Sequence, residues 1–217
     1  KGVEENLIIL PWNDADLLAE TLEREGNDIA AVLTEPVMCN TGCIPPRPGY
    51  LEAMRELTAR HGVVLIFDEV ITGFRLGLAG AQGRLGIKPD LSVFAKGIGG
   101  GFPVAALGGR ADIMALVARG KVSMAGTYSA NGIAIAAANA ALDELAAPGV
   151  FERLDAVSDA LRLGLDKILK DAGLPAYVVG LGPLMQVWFA KGPIHNYRDA
   201  ERHADQDTFR RWWEGML

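Results

Sequence analysis

Short apolar runs alternate with amphipathic segments through most of the chain. Apolar runs at residues 29–33, 63–67 and 91–95, the last of which contains Ser92, predict strands, because each run is too short to form a buried helix. Their apolar residues follow one another almost continuously rather than at every second position, which is typical of parallel strands with both faces covered. The pattern therefore predicts an α/β fold, with a mostly parallel sheet and helices on both of its faces.

Helices are predicted where apolar residues recur every three or four positions. The first has Leu17, Leu18 and Leu22 on one face, with Asn13 as its predicted N-cap and Gly26 as its end. The remaining predicted elements are a helix that ends at Gly62, a strand at 102–107, helices at 112–119, 130–145 and 151–172, strands at 176–179 and 184–190, and a helix from about residue 197.

The composition changes after Pro148, where a charged amphipathic segment replaces an alanine-rich one. This change predicts that residues 1–147 form part of a large domain and that residues 148–217 form part of a smaller α+β domain. The chain begins at Lys1 without a methionine and ends at Leu217 directly after an amphipathic segment. We therefore expect it to be a piece of a longer protein.

Composition and charge narrow the range of partners. The chain has 217 residues, is 50% hydrophobic, and carries 21 Lys and Arg against 27 Asp and Glu, for a net charge of −6. It has no basic cluster of the kind that follows nucleic-acid phosphates. Its apolar runs are shorter than the roughly 18 to 20 residues that a membrane helix needs, and no segment resembles a signal peptide. We expect a soluble, cytoplasmic protein without nucleic-acid or membrane partners.

Two cysteines, Cys39 and Cys43, are separated by three residues in a segment rich in turn-forming residues. A structural zinc site needs four ligands, and no second cysteine pair or neighbouring histidine completes one here. We therefore interpret the two thiols as incidental and expect no metal site.

Charged side chains follow each of the three apolar runs. Glu35 comes after the first run, Asp68 and Glu69 come after the second, and Lys96 comes after the third. In open α/β sheets, ligands bind at the edge where the carboxyl ends of the strands meet. The sequence therefore predicts a site that combines carboxylates with one lysine, although each residue taken singly is also typical of a helix cap or a solvated surface.

This combination of residues suits the chemistry of pyridoxal phosphate. A lysine amine can condense with an aldehyde, and a carboxylate can keep a ring nitrogen protonated. Thr127 and Ser129 offer hydroxyls for a phosphate near a predicted helix start, but both are equally suited to be N-caps. The glycine run at 97–101 is not a nucleotide loop, because Lys96 precedes the glycines. We predict instead that this run packs tightly below the lysine.

Several motifs resemble those of the class III aminotransferases, which are fold type I enzymes that depend on pyridoxal phosphate. The motifs keep the family's order and spacing from about residue 29 to residue 145. The segments at 80–83, 97–101 and 192–200 are most similar to the branch that contains the semialdehyde aminomutases. The other matching segments are 35–37, 65–75, 86–91, 95–103 and 126–131.

The resemblance implies roles for five residues. Lys96 is expected to attach the cofactor covalently and to move a proton, and Asp68 to pair with the ring nitrogen. Val70 is expected to lie against the ring face, and Glu35 near a small amino or oxo substrate. Thr127 is expected to bind the cofactor phosphate of the neighbouring subunit, which implies a homodimer with its sites at the subunit interface.

Departures from the family pattern bear on the activity. Ile71 stands where ornithine and 4-aminobutyrate transaminases carry glutamine, which argues against those two activities. The family's glycine–hydroxyl phosphate cup, its ring-stacking aromatic residue and the rest of its C-terminal domain have no counterpart in this chain. Three alternatives remain: an aminomutase-like enzyme, which we favour, an ω-amino acid or amine:pyruvate transaminase, and a non-catalytic fragment of such an enzyme.

Overall fold

A four-stranded sheet lies at the centre of the computed structural model, which describes residues 4–216. Strands β1 (Ala31–Thr34), β2 (Val64–Asp68) and β3 (Leu91–Phe94) are parallel, and β4 (Ala106–Gly109) is antiparallel to β3. Their order in the sheet is β1-β2-β3-β4. The predicted α/β fold with a mostly parallel sheet is confirmed.

Helices α1 (Ala15–Glu25) and α2 (Tyr50–Arg60) cover one face of this sheet. Their apolar stripes, which include Leu22 and Met54, pack in one buried cluster with Phe67 of β2. The further elements are α3 (Gly80–Leu85), α4 (Ala111–Ala118), α5 (Gly132–Leu145), α6 (Val150–Asp171), β5 (Ala176–Leu181), β6 (Leu184–Phe189), α7 (Tyr197–His203) and α8 (Gln206–Glu214).

The opposite face of the sheet is less covered than the apolar pattern predicts. In β1, Leu33 is 66% exposed, and in β2 Val64 and Ile66 are only half-buried. In contrast, Leu65 and Phe67, which point to the other side, are fully buried. Because α1 and α2 lie on the same side of the sheet, the face that carries Leu33 is covered less completely than the face that carries Leu65 and Phe67.

The central core continues into the C-terminal part of the chain. Trp188, Ala190, Ile194 and Ala200 belong to the same buried cluster as Trp12. A β-hairpin of β5 and β6 carries a second, smaller cluster, in which side chains of α6 and α8 pack against β6. The predicted domain boundary does not coincide with a break in the central core, and the division into two domains stays a prediction.

Within residues 4–216, no single helix combines the length and the apolar composition that a membrane span requires, and only α5 and α6, taken together as a pair bent by 76°, satisfy that test.

Two elements differ from the sequence predictions for local reasons. Helix α3 was not predicted, because its six residues include two glycines and show no apolar stripe. Strand β4 begins at Ala106 rather than at residue 102, because Phe102 N–H still donates to Gly99 O at 2.9 Å in the preceding turn. In glycine-rich segments, the bounds of helices and strands therefore differ from those that apolar runs alone predict.

The N-cap of α1 is Asp14 rather than the predicted Asn13. Asp14 Oδ1 accepts a hydrogen bond from Leu17 N–H at 2.9 Å. Asn13 has a left-handed backbone with φ 65° and connects distant loops, since its Oδ1 accepts from Arg47 N–H at 2.7 Å and its Nδ2 donates to His195 O at 2.9 Å. Both residue types make good caps, so only these long-range contacts decide between them.

Candidate active site

The parallel register brings the ends of the first three strands to one edge of the sheet. Asp68, the last residue of β2, lies opposite Val93 of β3. Glu35 directly follows β1, and Lys96 comes two residues after the end of β3. The backbone therefore places these charged residues at the same edge, where ligands of open α/β sheets bind.

One carboxylate at this edge is held by the backbone of its own turn. Val70 N–H donates to Asp68 Oδ1 at 3.0 Å. This is an Asx turn, which the local sequence favours because an aspartate readily bonds the N–H two residues further on. Asp68 is half-buried, so its carboxylate remains partly accessible. It can therefore accept a charge-assisted hydrogen bond from a protonated nitrogen of a ligand.

The next carboxylate, Glu69, is fully buried and serves the interior of the protein. It accepts hydrogen bonds from Thr72 Oγ1 at 2.9 Å, Ala81 N–H at 2.6 Å, and the backbone N–H and side-chain amide of Gln82 at 3.2 and 3.1 Å. The same amide also donates to Ser92 Oγ at 3.1 Å. This network connects the turn after β2 to α3 and to β3, and it supports the position of the sheet edge from below.

Lys96 opens a short 3-10 turn in a left-handed backbone conformation. Its φ of 46° is uncommon for a residue with a Cβ atom, and such strain clusters at functional sites. The lysine side chain is exposed. A Cβ atom on Gly97 would lie 3.2 Å from Gly73 O, and one on Gly99 would lie 2.9 Å from Val104 Cγ1. The predicted tight packing of the glycine run is confirmed at these two positions.

Glu35 is held to the turn that follows β1. Its Oε2 accepts hydrogen bonds from Cys39 N–H at 3.0 Å and from Asn40 N–H at 3.4 Å. Hydrogen bonds from backbone N–H groups to a carboxylate fix its position. Glu35 is half-buried, so the sheet edge carries a second, positioned negative charge.

Arg75 is a positive charge at this edge to which the sequence analysis assigned no role. Its Nη1 donates to Ile71 O at 3.0 Å, and its Cγ would lie 3.9 Å from a Cβ atom on Gly97. It also interacts electrostatically with the Cys39 thiol. Its position in the matching segment 65–75 was the only signal in the sequence, because the tertiary turn determines where the guanidinium lies.

Thr127 lies in a surface stretch in which all of residues 118–133 are exposed. The N-cap of α5 is Asn131, whose Oδ1 accepts from the N–H groups of Ile133 and Ala134, both at 3.1 Å. The alternative in which Thr127 or Ser129 caps this helix is therefore wrong. The described contacts connect the turns after β2 and β3 to each other, and none of them joins Thr127 to those turns.

Neither of two clefts compared with this edge of the sheet includes its charged groups. The larger, of about 510 Å³, borders the start of α1 and α2 and is lined by Trp12. The smaller, of about 260 Å³, lies between the turn that contains Asn40 and strand β6. Asp68, Val70 and Lys96 line neither of them. The candidate catalytic groups therefore lie at the sheet edge, outside both clefts.

The fold is that of an α/β protein, and one edge of its sheet carries an exposed lysine and an aspartate that is fixed by its own turn. The family model described as Aminotransferase class-III matches residues 10–207. The chain is 44% identical to a glutamate-1-semialdehyde 2,1-aminomutase from Thermomicrobium roseum over 203 residues. This match covers 93% of this chain and 47% of that aminomutase. The chain therefore belongs to the class III aminotransferases, and it spans about half the length of the curated relatives that it matches.

Solved structures agree with this family membership. An ω-transaminase from Sphaerobacter thermophilus matches with a TM-score of 0.84 and 37% identity, over 89% of this chain and 44% of that one. A glutamate-1-semialdehyde aminomutase from Pseudomonas aeruginosa, solved in complex with PMP, matches with a TM-score of 0.83 and 30% identity, over 94% of this chain and 47% of that one. The resemblance identified from the motifs is confirmed.

Proposed function

We propose that this chain is part of an enzyme that transfers amino groups with pyridoxal phosphate, in a reaction like that of the glutamate-1-semialdehyde 2,1-aminomutases. One observation carries the proposal: the strained Lys96 lies at the same sheet edge as Asp68, whose carboxylate is fixed by Val70 N–H. The 44% identity to an aminomutase and the PMP-bound structural neighbour support it. The proposal concerns the whole protein, of which this chain corresponds to about half in its relatives.

The described residues fit this cofactor. When bound, pyridoxal phosphate supplies an aldehyde that takes up the amino group and a ring that accepts electrons. The half-buried Asp68 carboxylate suits a protonated ring nitrogen, and Val70 offers an apolar surface next to it. The exposed Lys96 amine is accessible to an aldehyde. Thr127 is assigned the phosphate of the neighbouring subunit's cofactor, so a cytoplasmic homodimer with shared sites is part of the proposal.

Lys96 Nζ acts as the base in the proposed reaction. It takes a proton from the substrate carbon that carries the amino group, and it delivers a proton where the amino group is to arrive or depart. Asp68 keeps the ring nitrogen protonated throughout, because its ionised carboxylate stabilises that positive charge. Glu35, held by two backbone N–H groups, orients the substrate through its negative charge. These roles need Lys96 and the two carboxylates at one edge, as the parallel strands arrange them.

A second activity, that of an ω-transaminase, uses the same residues. The similarity to the ω-transaminase from Sphaerobacter thermophilus favours it as the alternative. The two reactions differ in one respect: an aminomutase returns the amino group to the same molecule, whereas a transaminase passes it to a separate acceptor. Ile71, in the position where some transaminases carry glutamine, favours neither of them over the other.

Incubation with glutamate-1-semialdehyde in the absence of any amino acceptor tests the proposed function. We expect its isomer, in which the amino group has moved from carbon 2 to carbon 1. Conversion of amines only when pyruvate is added would assign the ω-transaminase activity instead. The Lys96→Ala variant should lose turnover, whereas Lys88→Ala, which removes another exposed lysine, should retain it. Turnover in neither assay by the folded, cofactor-loaded protein would contradict both functions.

A further inference from the structure

Cys39 and Cys43 face each other across the turn that follows β1. Met38 and Ile44 exchange two backbone hydrogen bonds, of 3.0 and 3.1 Å, as an antiparallel pair. The two cysteines are the next residues inward from this pair, where Cα atoms of opposite residues are typically about 4.5 Å apart. A disulfide requires a Cα separation of about 4.4–6.8 Å. The backbone pairing is therefore compatible with a disulfide between Cys39 and Cys43.

The turn has little freedom to separate the cysteines. Gly42 N–H donates to Cys39 O at 3.0 Å, and Gly42 and Cys43 both have left-handed backbones, with φ of 116° and 56°. A Cβ atom on Gly42 would lie 3.0 Å from Trp188 Cη2, which shows that the turn packs directly on β6. Both cysteine side chains are half-buried, so a small oxidant can reach them.

The two thiols are hydrogen bonded to each other and differ in acidity. This hydrogen bond, together with burial and the negative charge of Glu35, raises the pKa of Cys39. The same bond lowers the pKa of Cys43 and outweighs the opposing effects of burial and Glu35. Cys39 therefore retains its proton and donates it towards Cys43. Because the thiolate is the reactive form of cysteine, Cys43 is the sulfur that reacts first.

We propose that Cys39 and Cys43 form a reversible dithiol–disulfide site that is oxidised by peroxides. Cys43 attacks one oxygen of hydrogen peroxide, so the O–O bond breaks, one water leaves and Cys43 becomes a sulfenic acid. Cys39 then attacks this sulfur, and the departing hydroxide takes the Cys39 proton to form a second water. The two thiols lose two electrons and two hydrogens in total, and an added dithiol reductant reverses the change by thiol–disulfide exchange.

This site replaces the interpretation of the two thiols as incidental. Within residues 4–216, no group of three or more His, Cys, Asp or Glu side chains is arranged to hold a metal. The turn also carries the N–H groups that hold Glu35. A disulfide would stiffen the turn that holds Glu35. An effect of this stiffening on the substrate rests on the proposed function, whereas formation of the disulfide does not.

Peptide mapping after peroxide treatment tests the proposal directly. The protein is oxidised with hydrogen peroxide, alkylated and cut with trypsin without reduction. Since trypsin does not cut between Arg47 and Pro48, both cysteines remain in one peptide, residues 25–55. We expect this peptide to be lighter by two hydrogen atoms and to carry no alkyl group, and dithiothreitol should restore two alkylation sites. Oxidation of Met38 adds oxygen and is distinguished by mass.

Two matched variants separate the roles of the cysteines. In Cys39→Ser, we expect a sulfenic acid at Cys43 that a cyclic diketone traps, whereas in Cys43→Ser the remaining Cys39 should react more slowly. Far-UV circular dichroism of both variants checks that the fold is retained. Doubly alkylated peptide after oxidation of the wild type would overturn the proposal, as would disulfides formed only between chains on a non-reducing gel.

Discussion

Replacing Gly80 with alanine tests how closely the turn after β2 is fitted around Glu69. Gly80 has a left-handed backbone with φ 65°, and an added Cβ atom would lie 2.8 Å from the Glu69 carboxylate carbon. The carboxylate cannot move aside easily, because it is fully buried and accepts the hydrogen bond from Ala81 N–H at 2.6 Å. The left-handed conformation costs about 1–2 kcal/mol with a Cβ atom, and overpacking costs a further 1–3 kcal/mol or so. We therefore expect Gly80→Ala to lower the free energy of unfolding by about 2–5 kcal/mol.

Gly86→Ala is the matched control at the other end of α3. Gly86 is also left-handed, with φ 71°, but nothing lies within 4 Å of an added Cβ atom. Its loss should therefore be limited to the backbone cost of about 1–2 kcal/mol. Urea unfolding followed by far-UV circular dichroism measures both values. Equal losses in the two variants would refute the idea that Glu69 is held rigidly by this turn.

Three further predictions concern single contacts. Burial raises the pKa of Asp90, but hydrogen bonds from Leu65 N–H and two arginines lower it more, to a net value below the ordinary 3.8. Asp90→Asn should therefore lower the free energy of unfolding by about 2 kcal/mol at neutral pH. In urea unfolding, the difference in this free energy between the variant and the wild type should be intact above pH 3.8 and lost as the pH falls through the lowered pKa. A difference that persists at the lowest pH would contradict this. Gly180→Ala should cost about 2–3 kcal/mol, because its Cβ atom would lie 2.7 Å from Met185 Cα, whereas Gly173→Ala, with open space around it, should cost less in the same assay. Asp68→Asn should reduce turnover about a hundredfold with little change in the urea midpoint, and unchanged kinetics would exclude Asp68 from the site.

The apolar runs were sufficient to predict the parallel strands. Residues 63–67 and 91–95 correspond closely to β2 (Val64–Asp68) and β3 (Leu91–Phe94). Helix α3 could not be found in this way, because it is stabilised by backbone N–H groups that bond the buried Glu69 rather than by an apolar stripe. The unequal cover of the two faces could not be predicted either, because an apolar run does not show which side of a strand a helix occupies.

Some of the candidate site residues could likewise be predicted from the sequence, and others could not. The turn of Asp68 is local, and the position of Lys96 follows from strand order, so both could be predicted from the sequence. The hydrogen bonds of Glu35 and of Arg75 each span only four or five residues, but they form in irregular turns, and no periodic pattern in the sequence predicts them. The role of Thr127 stays a prediction that rests on the family resemblance.

The most direct test of the proposed function is to locate the covalent attachment of the cofactor. The protein is incubated with pyridoxal phosphate, reduced with borohydride and mapped by mass spectrometry. We expect a single phosphopyridoxyl adduct on Lys96, an unchanged adduct in Lys88→Ala and none in Lys96→Ala. An adduct spread over the exposed lysines, or one that persists in Lys96→Ala at the wild-type level, would contradict the assignment of Lys96 as the cofactor-binding lysine.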